Sequence, residues 1–199
     1  VVIKRLTFCL GLSLLGTHFC LSAETTRAGP YVPAGYAMVF DDEFNEARLD
    51  TARWWTRYIY GGGTLDFLND EQQRYREDDN HVMTGHSLIL TARQVKGENG
   101  DVGYRSGMIR SKTTFKYGYF ETRMKLPDGI GVRPAFWLNP AARASAGKIA
   151  WPPEIDIAEF ANNGVEDTMR MLHVGLISPG AQAAASVQAS TRWSGGASS

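Results

Sequence analysis

From residue 37 to residue 177 the chain is written in short β-rich runs broken by turn residues, and no stretch sustains a helical period. The clearest run is 119–126. Phe120, Thr122, Met124 and Leu126 share one side of an alternating pattern, and Glu121, Arg123 and Lys125 share the other. A period of two with one polar side marks a half-buried strand. Further strands are predicted over residues 37–44, 87–94, 108–113, 133–138, 154–160 and 168–177, with another starting near 112–115. Pro127-Asp128-Gly129, Asn139-Pro140 and Asn162-Asn163-Gly164 supply turns between them. Many short strands at close spacing predict an all-β chain, an antiparallel sandwich or barrel.

The chain has 199 residues, 43% of them hydrophobic, which suffices for one cored domain and excludes global disorder. Its formal net charge is zero, which argues against a nucleic-acid binder that works by neutralising phosphates, and no polybasic membrane patch is present.

Residues 1–23 read as a secretory signal peptide. Lys4 and Arg5 are the basic start, residues 6–19 are largely apolar and uncharged, and Leu21-Ser22-Ala23 offers a cleavage point. The expected location is therefore secreted, in the periplasm or outside the cell, with no membrane attachment after cleavage. Both cysteines, Cys9 and Cys20, lie in this stretch. The exported part would then carry no disulfide, no cysteine nucleophile and no thiolate metal site. Residues 24–36 read as a lead-in, 37–178 as the β domain, and 179–199, nearly all Ala, Ser, Gly and Gln, as a low-complexity tail too poor in apolar groups for a packed element.

The chemistry concentrates in Glu154-Ile155-Asp156-Ile157-Ala158-Glu159. In a strand, Glu154 and Asp156 face one side and Ile155 and Ile157 the other. Glu159 would fall on the wrong side of a regular strand, but a β-bulge near Ile157-Ala158 returns it to the acidic face. Clustered carboxylates repel, so at least one pKa must rise. A glycosidase needs such a split: one carboxylate ionised as nucleophile, a second protonated as general acid, about 5–5.5 Å apart in retaining enzymes. A solvated strand face and a hard-cation site are the competing readings of the same residues. No H-E-x-x-H, G-x-S-x-G or phosphate-cradling loop is present.

The segment resembles glycoside hydrolase family 16, the endo-β-glucanase, laminarinase and agarase-like family, through its bulged E-x-D-x-x-E signature. Other blocks match in the family's order: Phe40-Asp41-Asp42-Glu43-Phe44 with Leu49, Asp50 and Trp54; Asn69-Asp70-Glu71-Gln72 with Tyr75; Ser87-Leu88-Ile89-Leu90-Thr91-Ala92; Ser106-Gly107-Met108-Ile109-Arg110-Ser111; the run 117–127; and Pro134-Ala135-Phe136-Trp137-Leu138. Together they cover about residues 38–177.

The resemblance implies an antiparallel β-jelly-roll sandwich of the concanavalin A-like kind, with a polysaccharide cleft on its concave face. It implies a retaining double displacement with Glu154 as nucleophile, Asp156 tuning it and Glu159 as general acid/base. The expected substrate is a β-1,3- or mixed β-1,3/1,4-glucan cut internally, by a protein expected to be a monomer. No cofactor is required for the chemistry. A structural calcium fits the family, but no residue here identifies its ligands.

Asn69, Glu71, Trp137, Trp151 and His173 are candidate substrate contacts, each with a structural reading beside it: loop residues, core indoles and a satisfied strand histidine. Arg133 is another candidate, because the family usually has Trp at that position. A cation there suits an anionic or substituted glycan, since a guanidinium pairs bidentately with carboxylate or sulfate. The match ends near Ile177, and the family's later strands, including its W-x-P-x-x-I-x-F/Y block, are not found, so the sandwich is expected to lack its C-terminal strands. A carbohydrate-binding sandwich without catalysis, or an inactive fragment, is the alternative to the enzyme. A structural calcium-binding domain is a third reading.

Overall fold

A computed structural model describes residues 2–11, 31–60, 63–77, 79–97, 99–127, 131–141, 153–161, 171–177 and 185–189. Every regular element among them is a β-strand. The first half holds β1 (Val2–Gly11), β2 (Tyr36–Asp42), β3 (Trp54–Trp55), β4 (Tyr58–Tyr60), β5 (Gly63–Leu65), β6 (Gln73–Tyr75), β7 (His81–Met83) and β8 (Leu88–Leu90). The second holds β9 (Ala92–Lys96), β10 (Val102–Ser106), β11 (Arg110–Ser111), β12 (Tyr119–Lys125), β13 (Ala135–Leu138), β14 (Glu154–Ala161), β15 (Met171–Ile177) and β16 (Ala185–Ala189).

The strands form separate hydrogen-bonded groups rather than two continuous layers. One sheet runs β12-β1-β8-β7 with β2 also on β1, a second runs β13-β14-β15-β16, a third β6-β10-β9, and β11-β3 and β4-β5 are pairs. All pairings are antiparallel except β10 with β6.

Two segments differ from the sequence reading. Residues 2–11, read as a leader, form β1 and pair antiparallel with both β2 and β12. A central strand and the apolar core of a leader are both continuous hydrophobic runs, so composition alone does not separate them. In the tail, Ala185–Ala189 pairs with β15. A ladder needs backbone donors and acceptors rather than apolar side chains, which is why a composition argument misses it.

The run 87–94, read as one strand, is broken at Thr91, whose amide donates to Asn80 O at 3.0 Å and whose carbonyl accepts from Gly107 N at 3.1 Å. Gly107 is required there: a Cβ would stand 2.7 Å from Asn80 O.

The core is Phe40, Phe44, Trp54 and Leu88, with Phe115, Phe120, Met124 and Phe136 among the side chains packed on it. Phe40 meets Trp54 edge-on at 5.4 Å and Phe115 at 5.7 Å. Phe120 and Met124 come from the alternating strand on the side the sequence assigns to the interior. Phe136 orients the strand it belongs to. It alternates with Ala135 and Trp137, so β13 gives one face to the core and turns the other away from it.

Candidate active site

β14 lies between β13 and β15, and its register slips on both sides at the same place. Against β13, Trp137 pairs with Asp156 and Phe136 with Ala158, so Ile157 is skipped. Against β15, Asp156 pairs with Gly175 and Glu159 with His173, so Ile157 and Ala158 face a single residue. This is the β-bulge expected from the spacing, and it sets Glu159 back on the face of Glu154 and Asp156. Asp156 is the most enclosed of the three at 5% exposure, while Ile155, on the opposite face, remains 42% exposed.

The facing strand brings its own residues to the acids. Ala135 pairs with Glu159 and Trp137 with Asp156. Paired residues project to the same side of a sheet, and Arg133 precedes Ala135 by two, so Arg133, Ala135 and Trp137 all lie on the acidic face. The guanidinium of Arg133 reaches Glu159, with Nη2 at 2.8 Å from Oε2; the Arg133 side chain is 68% exposed and that of Glu159 17%. Phe160 N donates to Pro134 O at 3.0 Å and anchors this corner.

Trp137 extends the surface toward a tyrosine cluster. Its ring lies 6.5 Å from that of Tyr58, which meets Tyr75 edge-on at 5.3 Å. Tyr58 Oη donates to Glu71 Oε1 at 2.9 Å, Tyr75 Oη to the same atom at 3.4 Å, and Gln73 Nε2 to Tyr75 Oη at 3.0 Å. Leu68 N donates to Glu71 Oε2 at 2.9 Å. Burial is the main cause that raises the Tyr58 phenol far above its ordinary range, aided by Tyr75 and Glu71. Burial, then the charge of Glu71, also raises Tyr75. Both therefore stay protonated and serve as donors to Glu71.

Of the residues singled out in the sequence, Glu154, Asp156, Glu159, Arg133 and Trp137 share one face. Glu71 joins them at one remove, through Tyr58, with both of its oxygens engaged by the protein. Asn69 has φ 50° in the exposed turn before Glu71, a left-handed conformation that asparagine tolerates. His173 stands across the ladder from Glu159 by register. Trp151 lies outside the described residues. Sequence reasoning missed Tyr58, although its place in the Tyr58-Ile59-Tyr60 alternation marks it as a half-buried strand residue. It also missed the ion pair between Arg133 and Glu159, which no spacing rule encodes. Among the described residues no three His, Cys, Asp or Glu side chains come together to hold a metal ion.

The sequence model described as "Glycosyl hydrolases family 16" matches residues 68–194, which extends past Ile177 through β16. Endo-1,3-1,4-beta-glycanase ExsH of Rhizobium meliloti is 31% identical over 160 residues, 69% of this chain and 32% of its own length. Beta-glucanase of Rhodothermus marinus is 31% identical over 162 residues, 79% of this chain and 53% of its own. Glucan endo-1,3-beta-glucosidase A1 of Niallia circulans is 34% identical over 154 residues, 71% of this chain and 22% of its own. The match thus spans between about a fifth and about half of these relatives. No solved structure matches the chain. With the family model covering most of its length and the three acids on one face of a bulged strand, the chain belongs to glycosyl hydrolases family 16, a family of retaining glycosidases.

Proposed function

We propose that this chain carries the catalytic face of a secreted, endo-acting β-glucanase that cuts β-1,3 or mixed β-1,3/1,4 linkages inside a polysaccharide. The observation that carries the reading is the bulge at Ile157-Ala158, which gathers Glu154, Asp156 and Glu159 on one face beside Trp137. The names of the relatives support the substrate class. A jelly-roll sandwich is the fold this reading assigns to the complete enzyme, and a polymeric substrate fits an exported monomer.

In the first step a Glu154 carboxylate oxygen attacks the anomeric carbon while Glu159, protonated, gives its proton to the departing glycosidic oxygen. The C–O bond to the leaving chain breaks and an ester forms on Glu154. In the second step Glu159, now a carboxylate, takes a proton from water, whose oxygen attacks the same carbon from the opposite side and releases Glu154. Two inversions leave the configuration unchanged. Asp156, enclosed on the same face as Glu154, positions it. Trp137 offers an apolar ring face for a sugar.

The test is release of reducing ends from laminarin and from a mixed-linkage glucan by the full chain, beside Glu154→Gln and Glu159→Gln. Activity that falls by about 10³-fold or more in each variant is the expected result. Unchanged release in either variant refutes the assigned roles, and glycan binding without any release favours the binding-module reading.

A further inference from the structure

We propose that Arg133 is a latch on Glu159 which an anionic group of the glycan releases, so that a β-glucan bearing anionic groups is preferred over the neutral polymer. The inference rests on Glu159 being the general acid/base.

A guanidinium can only donate hydrogen bonds, so in the pair seen here Oε2 of Glu159 is an acceptor. A proton bound for the glycosidic oxygen and an arginine N–H cannot occupy the same lone pair. With Arg133 in place that oxygen cannot act as the donor, and the pair is a resting arrangement. Two features make it releasable. The Arg133 side chain is 68% exposed, and ion pairs so open to water are weak. Its fork also matches sulfate or carboxylate bidentately, a better partner than one oxygen of Glu159.

The setting explains why a cation is wanted. Glu154, Asp156 and Glu159 crowd one face, and an anionic polymer approaching them would be repelled. Arg133, two residues before the Ala135 that pairs with Glu159, offsets this charge beside the acids. A neutral glycan has nothing to draw the guanidinium away. An anionic one recruits it, and in doing so frees Oε2 at the moment of binding. Discrimination then acts on the catalytic acid itself, from the moment the glycan binds.

The experiment compares kcat/KM of the full chain, Arg133→Ala and Arg133→Lys on laminarin, lightly sulfated laminarin and lightly carboxymethylated laminarin, at low and high salt. The wild-type chain is expected to favour an anionic form by about tenfold or more, the two anionic arms showing which group is taken. Arg133→Ala should lose that preference, and Arg133→Lys should restore it only in part. Equal losses on neutral and charged substrates would mean a merely structural arginine, and a wild-type preference for laminarin itself would also overturn the proposal.

If no substrate is cleaved, the glucanase reading fails separately, and calorimetry decides on Arg133. Sulfated oligosaccharide binding Glu154→Gln more tightly than the neutral form, with the difference lost on adding Arg133→Ala, supports anion capture. Equal affinities sink it.

Discussion

Trp54 donates its indole N–H to Oδ2 of Asp42 at 2.7 Å from a position only 2% exposed. Oδ1 of the same carboxylate accepts from Phe44 N at 2.9 Å, and Arg53 Nη1 stands 3.4 Å from Oδ2. Phe44 is buried with φ 53°, a left-handed conformation that costs a bulky residue on the order of 1–3 kcal/mol. Asp42 therefore holds a strained backbone and a buried indole at once. Asp42→Ala is expected to lower stability by about 2–4 kcal/mol, and Asp42→Asn, which keeps an acceptor, by less. Urea unfolding followed by tryptophan fluorescence measures both; coincident midpoints for wild type and the alanine variant would contradict the assignment.

Inserting one alanine after Ala158 adds a second extra residue beside the bulge. With the existing bulge kept, the insertion sends Glu159 to the face of Ile155, because a one-residue slip inverts every side chain beyond it. Activity on laminarin should fall as far as in Glu159→Gln, about 10³-fold or more, while circular dichroism keeps its β signature. Retained activity would show that the acid on this face is not Glu159.

Asp156→Asn preserves shape and removes a charge that is 95% enclosed by the fold, given its 5% exposure. The expected result is a fall in kcat of about 10²-fold with KM little changed, as for a group that acts on the nucleophile rather than on the sugar. A change confined to KM would instead make Asp156 a substrate contact.

Tyr58 and Tyr75 hold their protons beyond the ordinary tyrosine value of 10.0. Below that pH, folded and unfolded chains are protonated alike and the stabilisation is complete. Above it the unfolded chain releases protons that the native state keeps, and stability falls by about 1.4 kcal/mol per pH unit for each tyrosine. Melting curves from about pH 9 to about pH 11 should show this decline, and Tyr58→Phe should make it shallower. A slope unchanged by that substitution would place the titrating group elsewhere.

The strand that carries the three acids was legible because its information is local. Two isoleucines alternating with acids fix the faces, and the odd offset of Glu159 leaves a bulge as the way to gather the acids. The strand 119–126 was legible for the same reason. The strands Trp54–Trp55 and Gly63–Leu65 were not, since so few residues carry no period. Glu71 was picked out, but the sequence cannot show that Tyr58 and Tyr75 converge on it, because that network closes across separate strands. The Arg133–Glu159 contact depends on pairing between β13 and β14, a long-range fact. The pairing of segment 2–11 was not legible for a different reason: the apolar run of a leader and that of a strand have the same composition.

Ala135 occupies the place directly across from Glu159, with Arg133 two residues before it and Trp137 two residues after. Its small side chain separates two chemically unlike neighbours along the acidic face, a hydrated cation before it and an indole after it. On the proposed reading, a sugar chain lying along this face meets a different neighbour at each end, so its reducing and non-reducing directions are not equivalent. The direction of the polymer would then be set by the short stretch from Arg133 to Trp137, without any contribution from the acids.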